Sequence, residues 1–314
     1  QHLAYRIQCQ PSEDEIVSAV GDADAIITAT VLMPFSRKVL KSLRNCKFIM
    51  SVGIGYDKLD VEAATELGII AANIPDASLE EVSDHAMALI LACTRRVIQL
   101  NDSVRLGNWE TTNPYIRKAI WPRMSRLRGQ ILGLIGFGRI ARTLVPKATG
   151  FGLKIIAYDD YVPESIFRNF GVACVTLDQL LTQADIVSLH VPLTSETTYL
   201  LGLEQLKKMK PSGCLINTAR GAVVDSEALY IALSNGYISV AALDVTDPEP
   251  IALDSPLLTL SNIIVTAHSA HVSPLSAAEQ YLRPAEELIR VVRGEWPIGL
   301  LNPEVKEKYL QKWS

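Results

Sequence analysis

Residues 131–141 read Ile131-Leu-Gly-Leu-Ile-Gly136-Phe-Gly138-Arg-Ile-Ala141. A short β-type apolar run leads straight into Gly136-x-Gly138-x-x-Ala141, and a helix is predicted through Thr143 and Val145. Gly136 permits the tight turn, Gly138 lets backbone approach a pyrophosphate, and Ala141 allows close packing of helix on strand. The N–H groups at the helix start would face the diphosphate, with the helix dipole behind them. The turn residues Gly136, Phe137, Gly138, Arg139 and Ile140 are therefore candidate cofactor contacts. A second strand, residues 155–158, ends in Asp159, eighteen residues past Ala141, where a carboxylate can accept from an adenosine ribose diol. Strand, glycines, helix, strand and acid in this register predict a Rossmann-type domain. Asp159 with Asp160 would repel a 2′-phosphate, which favours NAD over NADP.

The same grammar extends in both directions. Short β-rich runs at 25–28, 48–50, 69–72, 186–190, 214–217, 240–245 and 263–266, largely apolar, suit strands buried on both faces. Helix-period segments lie between them, among them one opened by Asp225, another over 177–181 and a third over 203–209. Strands alternating with helices predict α/β architecture with parallel sheets. One helical signal is longer. Val82, Ala86, Leu89, Ile90, Cys93, Val97, Leu100 and Val104 form one sustained apolar face, suited to joining domains or meeting a partner.

Composition narrows the class. The chain has 314 residues, of which 48% are hydrophobic, enough for two domain cores. Thirty basic against 34 acidic residues give a net charge of −4, which argues against a polybasic nucleic-acid binder. Apolar runs fall short of a membrane span, and Gln1 to Gln10 lack the pattern of a secretory signal. Cys9, Cys46, Cys93, Cys174 and Cys214 are odd in number and widely spaced, and read as small buried hydrophobes in a reducing compartment. A cytoplasmic two-domain protein is expected.

Three more strand ends carry polar residues. Arg220 follows the 214–217 strand, Asp244 closes the next with Glu249 in the loop beyond, and His268 follows the last. Ligands of open α/β sheets sit outside the carboxyl ends of strands, so these groups should converge. Asn217 and Asp225 read as a turn residue and a helix N-cap, and Asp84 and His85 as structural. His268 and His271 form no recognisable metal set.

With these motifs in order, the sequence resembles the D-isomer-specific 2-hydroxyacid dehydrogenases over nearly its whole length. The matching segments are the glycine loop with Asp159, residues 217–225, residues 241–250 and the histidine strand. Gly53-Ile-Gly55-Tyr-Asp57 and Asn73-Ile-Pro75 match the substrate-domain loops, and residues 73–81 look most like phosphoglycerate dehydrogenases and the C-terminal binding proteins. The resemblance implies a Rossmann-type NAD-binding domain, about 76–272, and a smaller flavodoxin-like α/β substrate domain from both chain ends, 1–75 and 273–314. It implies hydride transfer between NAD and a small 2-hydroxy or 2-keto acid. Arg220 would clamp the substrate carboxylate, His268 would act as general acid and base, and Glu249 would orient His268 and favour its imidazolium. Backbone amides of Val52, Gly53 and Ile54 would bind substrate as well. Asp244 would hold the nicotinamide carboxamide, and His190, Thr197, Thr218 and Ala219 would line the cofactor site with Arg220 and His268. A homodimer using the long helix and the Trp109–Trp121 segment is implied, with no metal, no nucleic acid and no membrane.

The sequence also departs from the family pattern. Ala267 replaces the usual proline, Asp84 the usual glutamate, and His271 stands unusually close to the active histidine. The competing readings are an NADH-sensing corepressor and the oxidation of another small oxyanion. Ile54, where phosphite oxidisers have lysine, and Glu249, where formate oxidisers have glutamine, argue against the second.

Overall fold

The computed structural model describes residues 11–313; the readings of Gln1 to Gln10 and of Cys9 lie outside them. The first part of the chain forms α1 (Glu13–Val20), β1 (Ala25–Thr28), α2 (Arg37–Ser42), β2 (Phe48–Ser51), α3 (Val61–Glu66) and β3 (Ile70–Ala72). Next come α4 (Leu79–Arg95), α5 (Val97–Arg105), β4 (Ile131–Ile135), α6 (Arg139–Gly150), β5 (Lys154–Tyr158), α7 (Glu164–Asn169) and β6 (Ala173–Cys174). They are followed by α8 (Leu177–Gln183), β7 (Ile186–Leu189), α9 (Leu203–Lys208), β8 (Cys214–Asn217), α10 (Ser226–Ser234), β9 (Val240–Leu243) and β10 (Ile263–Val265). The chain returns with α11 (Pro274–Val292) and α12 (Lys306–Trp313).

Two compact units result, one of residues up to Ser78 with those from Ser273 on, the other Leu79–Val272. In the first, β1, β2 and β3 form a parallel sheet in that order. The returning chain is tied in by Asn302, which is buried. Its Oδ1 accepts from the Ala71 amide at 2.9 Å, while its Nδ2 donates to the Ile69 carbonyl and the Thr65 hydroxyl, each at 3.0 Å. Satisfying a buried amide on three sides fixes the C-terminal segment against β3.

The second unit is a seven-stranded parallel sheet in the order β10-β9-β8-β7-β4-β5-β6. Every residue of β7, β8 and β9 is buried, which explains a sequence that is apolar except for Ser188 and Asn217. In β4, a Cβ on Gly133 would lie 2.6 Å from a Leu180 methyl, so α8 packs tightly across that strand. The order reverses between β4 and β7. Such a switch point opens a crevice at the carboxyl ends of both strands.

Two expectations need correction. The long helix breaks at Arg96, which adopts a left-handed φ of 54° between α4 and α5. Up to Cys93 the apolar face is buried, whereas Val97 and Val104 beyond the break are exposed. Cys174, read as a buried hydrophobe, is exposed on the two-residue edge strand β6; Cys46, Cys93 and Cys214 are buried. Among the described residues, no helix is long and apolar enough to cross a membrane.

Candidate active site

The glycine turn after β4 is built by close approach. Gly136 has φ +89°, and a Cβ there would meet the His190 carbonyl oxygen at 2.6 Å, so β4 and β7 exit side by side. A Cβ on Gly138 would meet nothing within 4 Å. The space above the turn is open. The first amides of α6, at Arg139 and Ile140, have no intrahelical acceptor and remain available with that of Gly138. Phe137 contributes less than its place in the motif implies. Its ring is buried and stacks on Phe167 at 4.6 Å, and its amide donates to Asp159 Oδ2 at 2.8 Å.

Asp159 therefore does double work. Its Oδ1 accepts from the Tyr161 and Val162 amides at 2.9 and 3.1 Å, so both oxygens are engaged. A carboxylate has about four acceptor positions, which leaves one on Oδ2 for a ribose hydroxyl. Beside it lies a groove of about 650 Å³ lined by Tyr158, Asp159, Asp160, Cys174, Thr176 and Asp178, among others. The hydrogen bond to Asp160 pushes the Tyr158 phenol up to about 12, so it stays a neutral donor.

His190 is half-buried with Nε2 at 2.9 Å from the Ser188 hydroxyl, and burial pushes its imidazole down to about 4. It is neutral at working pH. The Thr197 hydroxyl donates to the Pro192 carbonyl at 2.6 Å and accepts from the Thr194 amide at 2.8 Å. That proton is spent closing its own loop. The Thr218 hydroxyl, by contrast, is buried with no partner among the described residues. An orphaned buried hydroxyl is what a bound polar ligand would satisfy. With the open space over Gly138, it makes these residues fit a dinucleotide.

The catalytic candidates gather at the neighbouring strand ends. Buried Asn217 donates to the Arg220 carbonyl at 2.8 Å and accepts from the Ala219 amide at 3.0 Å, which fixes the turn that presents Arg220. The Arg220 guanidinium also donates to the Ala219 carbonyl at 2.6 Å. Gly221 packs against the next loop so closely that a Cβ would lie 1.9 Å from the Thr246 carbonyl oxygen. The loop held there carries Glu249 between cis peptide bonds at Pro248 and Pro250. Glu249 Oε1 lies 2.5 Å from His268 Nδ1, an ion pair when the ring is protonated. Asp225 caps α10 by accepting from the Glu227 and Ala228 amides, as its position in the sequence suggests.

His268 has φ +50°, a left-handed conformation uncommon outside glycine. The His271 ring meets the His268 ring edge to face at 5.8 Å. Burial, and then the charge of His268, hold the His271 pKa below the usual histidine value. Asp244 is engaged by the histidine loop. It is 1% exposed, and its carboxylate accepts from the Thr266 hydroxyl and the Ser269 and Ala270 amides. It organises the histidine loop from within, and by the same count of acceptor positions one on Oδ2 is left for a carboxamide.

His85, read from the sequence as structural, reaches Thr266 Oγ1 with its Nε2 at 3.1 Å, a contact the sequence does not indicate. The available signal was a histidine next to buried Ala86, one polar group at the margin of an apolar helix face. Asp84 is structural as read, bound to Lys147 on α6 at 2.6 Å. In the first unit, the Val52 amide donates to the Thr28 carbonyl at 3.1 Å. That corrects its assignment to substrate and leaves Gly53 and Ile54 as the amides this loop offers.

Comparisons with known proteins agree with this geometry. The sequence profile described as "D-isomer specific 2-hydroxyacid dehydrogenase, NAD binding domain" matches residues 87–270. A glyoxylate reductase of Korarchaeum cryptofilum is 39% identical over 305 residues, covering 96% of this chain and 89% of that protein. A D-3-phosphoglycerate dehydrogenase of Methanocaldococcus jannaschii is 38% identical across 96% of this chain, which spans only 56% of that relative. The structure of a D-lactate dehydrogenase from Aquifex aeolicus, complexed with NAD and lactic acid, superposes with a TM-score of 0.78 at 29% identity, covering 91% of this chain and 86% of that one. The chain thus belongs to the D-isomer specific 2-hydroxyacid dehydrogenases, NAD-dependent oxidoreductases that interconvert 2-hydroxy and 2-keto acids.

Proposed function

We propose that the protein reduces a small, unphosphorylated 2-keto acid of the glyoxylate or hydroxypyruvate type, with Arg220, Glu249 and His268 as its catalytic residues. The observation that carries the assignment of roles is the 2.5 Å contact between Glu249 Oε1 and His268 Nδ1. With Nδ1 held by the carboxylate, Nε2 is the nitrogen left to pass a proton to the substrate carbonyl oxygen. Arg220 offers a planar fork for the substrate carboxylate and the same carbonyl oxygen. NAD, when bound, supplies or takes up the hydride. Gly138, Arg139, Ile140, Asp159 and Thr218 would hold it. The acidic pair Asp159 and Asp160 supports a preference for the cofactor without a 2′-phosphate.

The choice of substrate is supported by the glyoxylate reductase relative, matched over most of its length, whereas the phosphoglycerate dehydrogenase is matched over about half. A panel of glyoxylate, pyruvate, hydroxypyruvate and phosphohydroxypyruvate, scored by NADH consumption, tests it. Highest kcat/KM on glyoxylate or hydroxypyruvate is expected, and a preference for the phosphorylated acid would overturn the reading.

We further propose a homodimer. Val97, Ile98 and Val104 on α5, with Leu106 and Trp109 just after it, form an exposed apolar surface of the kind that marks an interface. Val104→Glu should shift the sedimentation coefficient to that of a monomer; an unchanged coefficient would contradict the assignment. The four free cysteines among the described residues support a reducing compartment such as the cytoplasm.

A further inference from the structure

His268 owes its unusual backbone conformation to a single residue. Its amide donates to the Asp244 carbonyl at 2.7 Å. The next two amides, Ser269 and Ala270, donate to Asp244 Oδ1 and Oδ2 at 3.0 and 2.9 Å. Three successive N–H groups thus wrap one buried carboxylate residue, and the wrap offsets the cost of φ +50° at a non-glycine position.

Asp244 must itself be held. Thr266 Oγ1 lies 2.5 Å from Asp244 Oδ1, which as a carboxylate oxygen only accepts, so the Thr266 proton points there. His85 Nε2 lies 3.1 Å from the same Oγ1 and 3.5 Å from Asp244 Oδ1. Because the hydroxyl proton is already committed, His85 Nε2 must be the donor and carry hydrogen, in either charge state. A directed chain results, running from His85 through Thr266 and Asp244 to the turn that aims His268 at Glu249.

We propose that His85 is a positioning residue for the acid–base histidine, acting from α4 through Thr266 and Asp244. Its role is to fix Asp244 Oδ1 so that the 268–270 turn has one conformation. The proposal rests on the reading of His268 as the group that exchanges a proton with substrate. A positioned group must hold its geometry closely, and a displacement near 1 Å costs roughly 100-fold in rate. The groups facing this chain are Glu249 and His271 on the His268 side and His85 itself on the other.

The test compares His85→Leu, His85→Gln, Thr266→Val and Thr266→Ser in keto-acid reduction by the full-length protein, with NADH affinity measured separately by fluorescence. His85→Leu and Thr266→Val should lower kcat by about 10- to 100-fold while the Kd for NADH stays put. His85→Gln and Thr266→Ser keep a donor in place and should recover most of the loss. If His85→Leu does not fold, the Thr266 pair and His85→Gln carry the comparison alone. Equal losses in His85→Leu and His85→Gln, or wild-type turnover in His85→Leu, would overturn the proposal. His268→Gln in the same assay separates the two readings. If it retains full activity, the acid–base assignment itself has failed; if it is inactive while His85→Leu turns over normally, only the positioning role has failed.

Discussion

Replacing Gly221 with alanine should damage the site more than it damages the fold. The added Cβ would sit 1.9 Å from the Thr246 carbonyl oxygen, 2.0 Å from its carbon and 2.6 Å from the Asp247 nitrogen. All three are backbone atoms, so no side chain can rotate away. Real Cβ contacts essentially never fall below 3.0 Å, so the two backbone segments must part by about 1 Å. Overpacking of this kind costs about 1–3 kcal/mol, which in a unit of this size lowers Tm by about 2–12 °C. The displaced segment is the one that leads into Glu249, and the residue before Gly221 is Arg220. A shift near 1 Å in a catalytic arrangement costs roughly 100-fold in kcat/KM. Tm by calorimetry and kcat/KM with glyoxylate, measured on the same Gly221→Ala preparation, check both figures. A lowered Tm with unchanged kcat/KM would show that the packing of Gly221 on Thr246 does not set the geometry of the reacting groups.

Other perturbations probe separate parts of the account. Arg220→Lys should lose roughly 100-fold in kcat/KM, because an ammonium cannot reproduce the planar fork; wild-type kinetics would remove Arg220 from the substrate. The wild type should prefer NADH to NADPH by at least about tenfold, or about 1.4 kcal/mol, and Asp159→Asn should narrow the gap; equal efficiency in the wild type would refute the role of Asp159. Asp159→Ala should also lower Tm, since the Phe137, Tyr161 and Val162 amides lose their acceptor. His190 has a native pKa of about 4 against the ordinary 6.5, so the unfolded chain binds its proton first as pH falls. Its contribution is whole above pH 6.5 and is lost progressively down to about pH 4, at most about 3 kcal/mol over that window. Denaturant unfolding of the wild type and His190→Asn across that range should show a shallower loss in the variant; parallel curves would refute the assignment.

The architecture was legible where one residue pattern has one physical meaning. The glycines after β4, the acid after β5 and the apolar runs of the central strands each admit little else. Boundaries moved by a residue or two because Val245 and Thr266 continue the apolar or β-branched pattern after pairing has ended. The break at Arg96 was invisible because a single left-handed residue leaves the apolar spacing on either side intact. Spacing also cannot say what covers an apolar face, and so it does not separate the buried half of this stretch from the exposed Val97 and Val104.

Roles were harder to read than places. Asp244 stands where the sequence puts it, yet only the three-dimensional turn reveals that three donors from the histidine strand and loop already hold it. Thr197 and the Phe137 amide are similar: motif position marks the neighbourhood, and hydrogen bonding decides the use. His85 lies 181 residues from Thr266, a separation no local pattern bridges.

The central claim is that Glu249 and His268 act as one proton-handling unit in the reduction of a 2-keto acid. A double-mutant cycle of Glu249→Gln and His268→Gln, read as kcat/KM for glyoxylate with NADH, tests it most directly. Groups that work as a unit are strongly non-additive, so once His268 is gone the loss of Glu249 should cost almost nothing further. His268→Gln alone should lose about 100- to 10,000-fold, the span of general acid–base catalysis. Additive losses, with the double variant worse by the full product of the two single effects, would contradict the account.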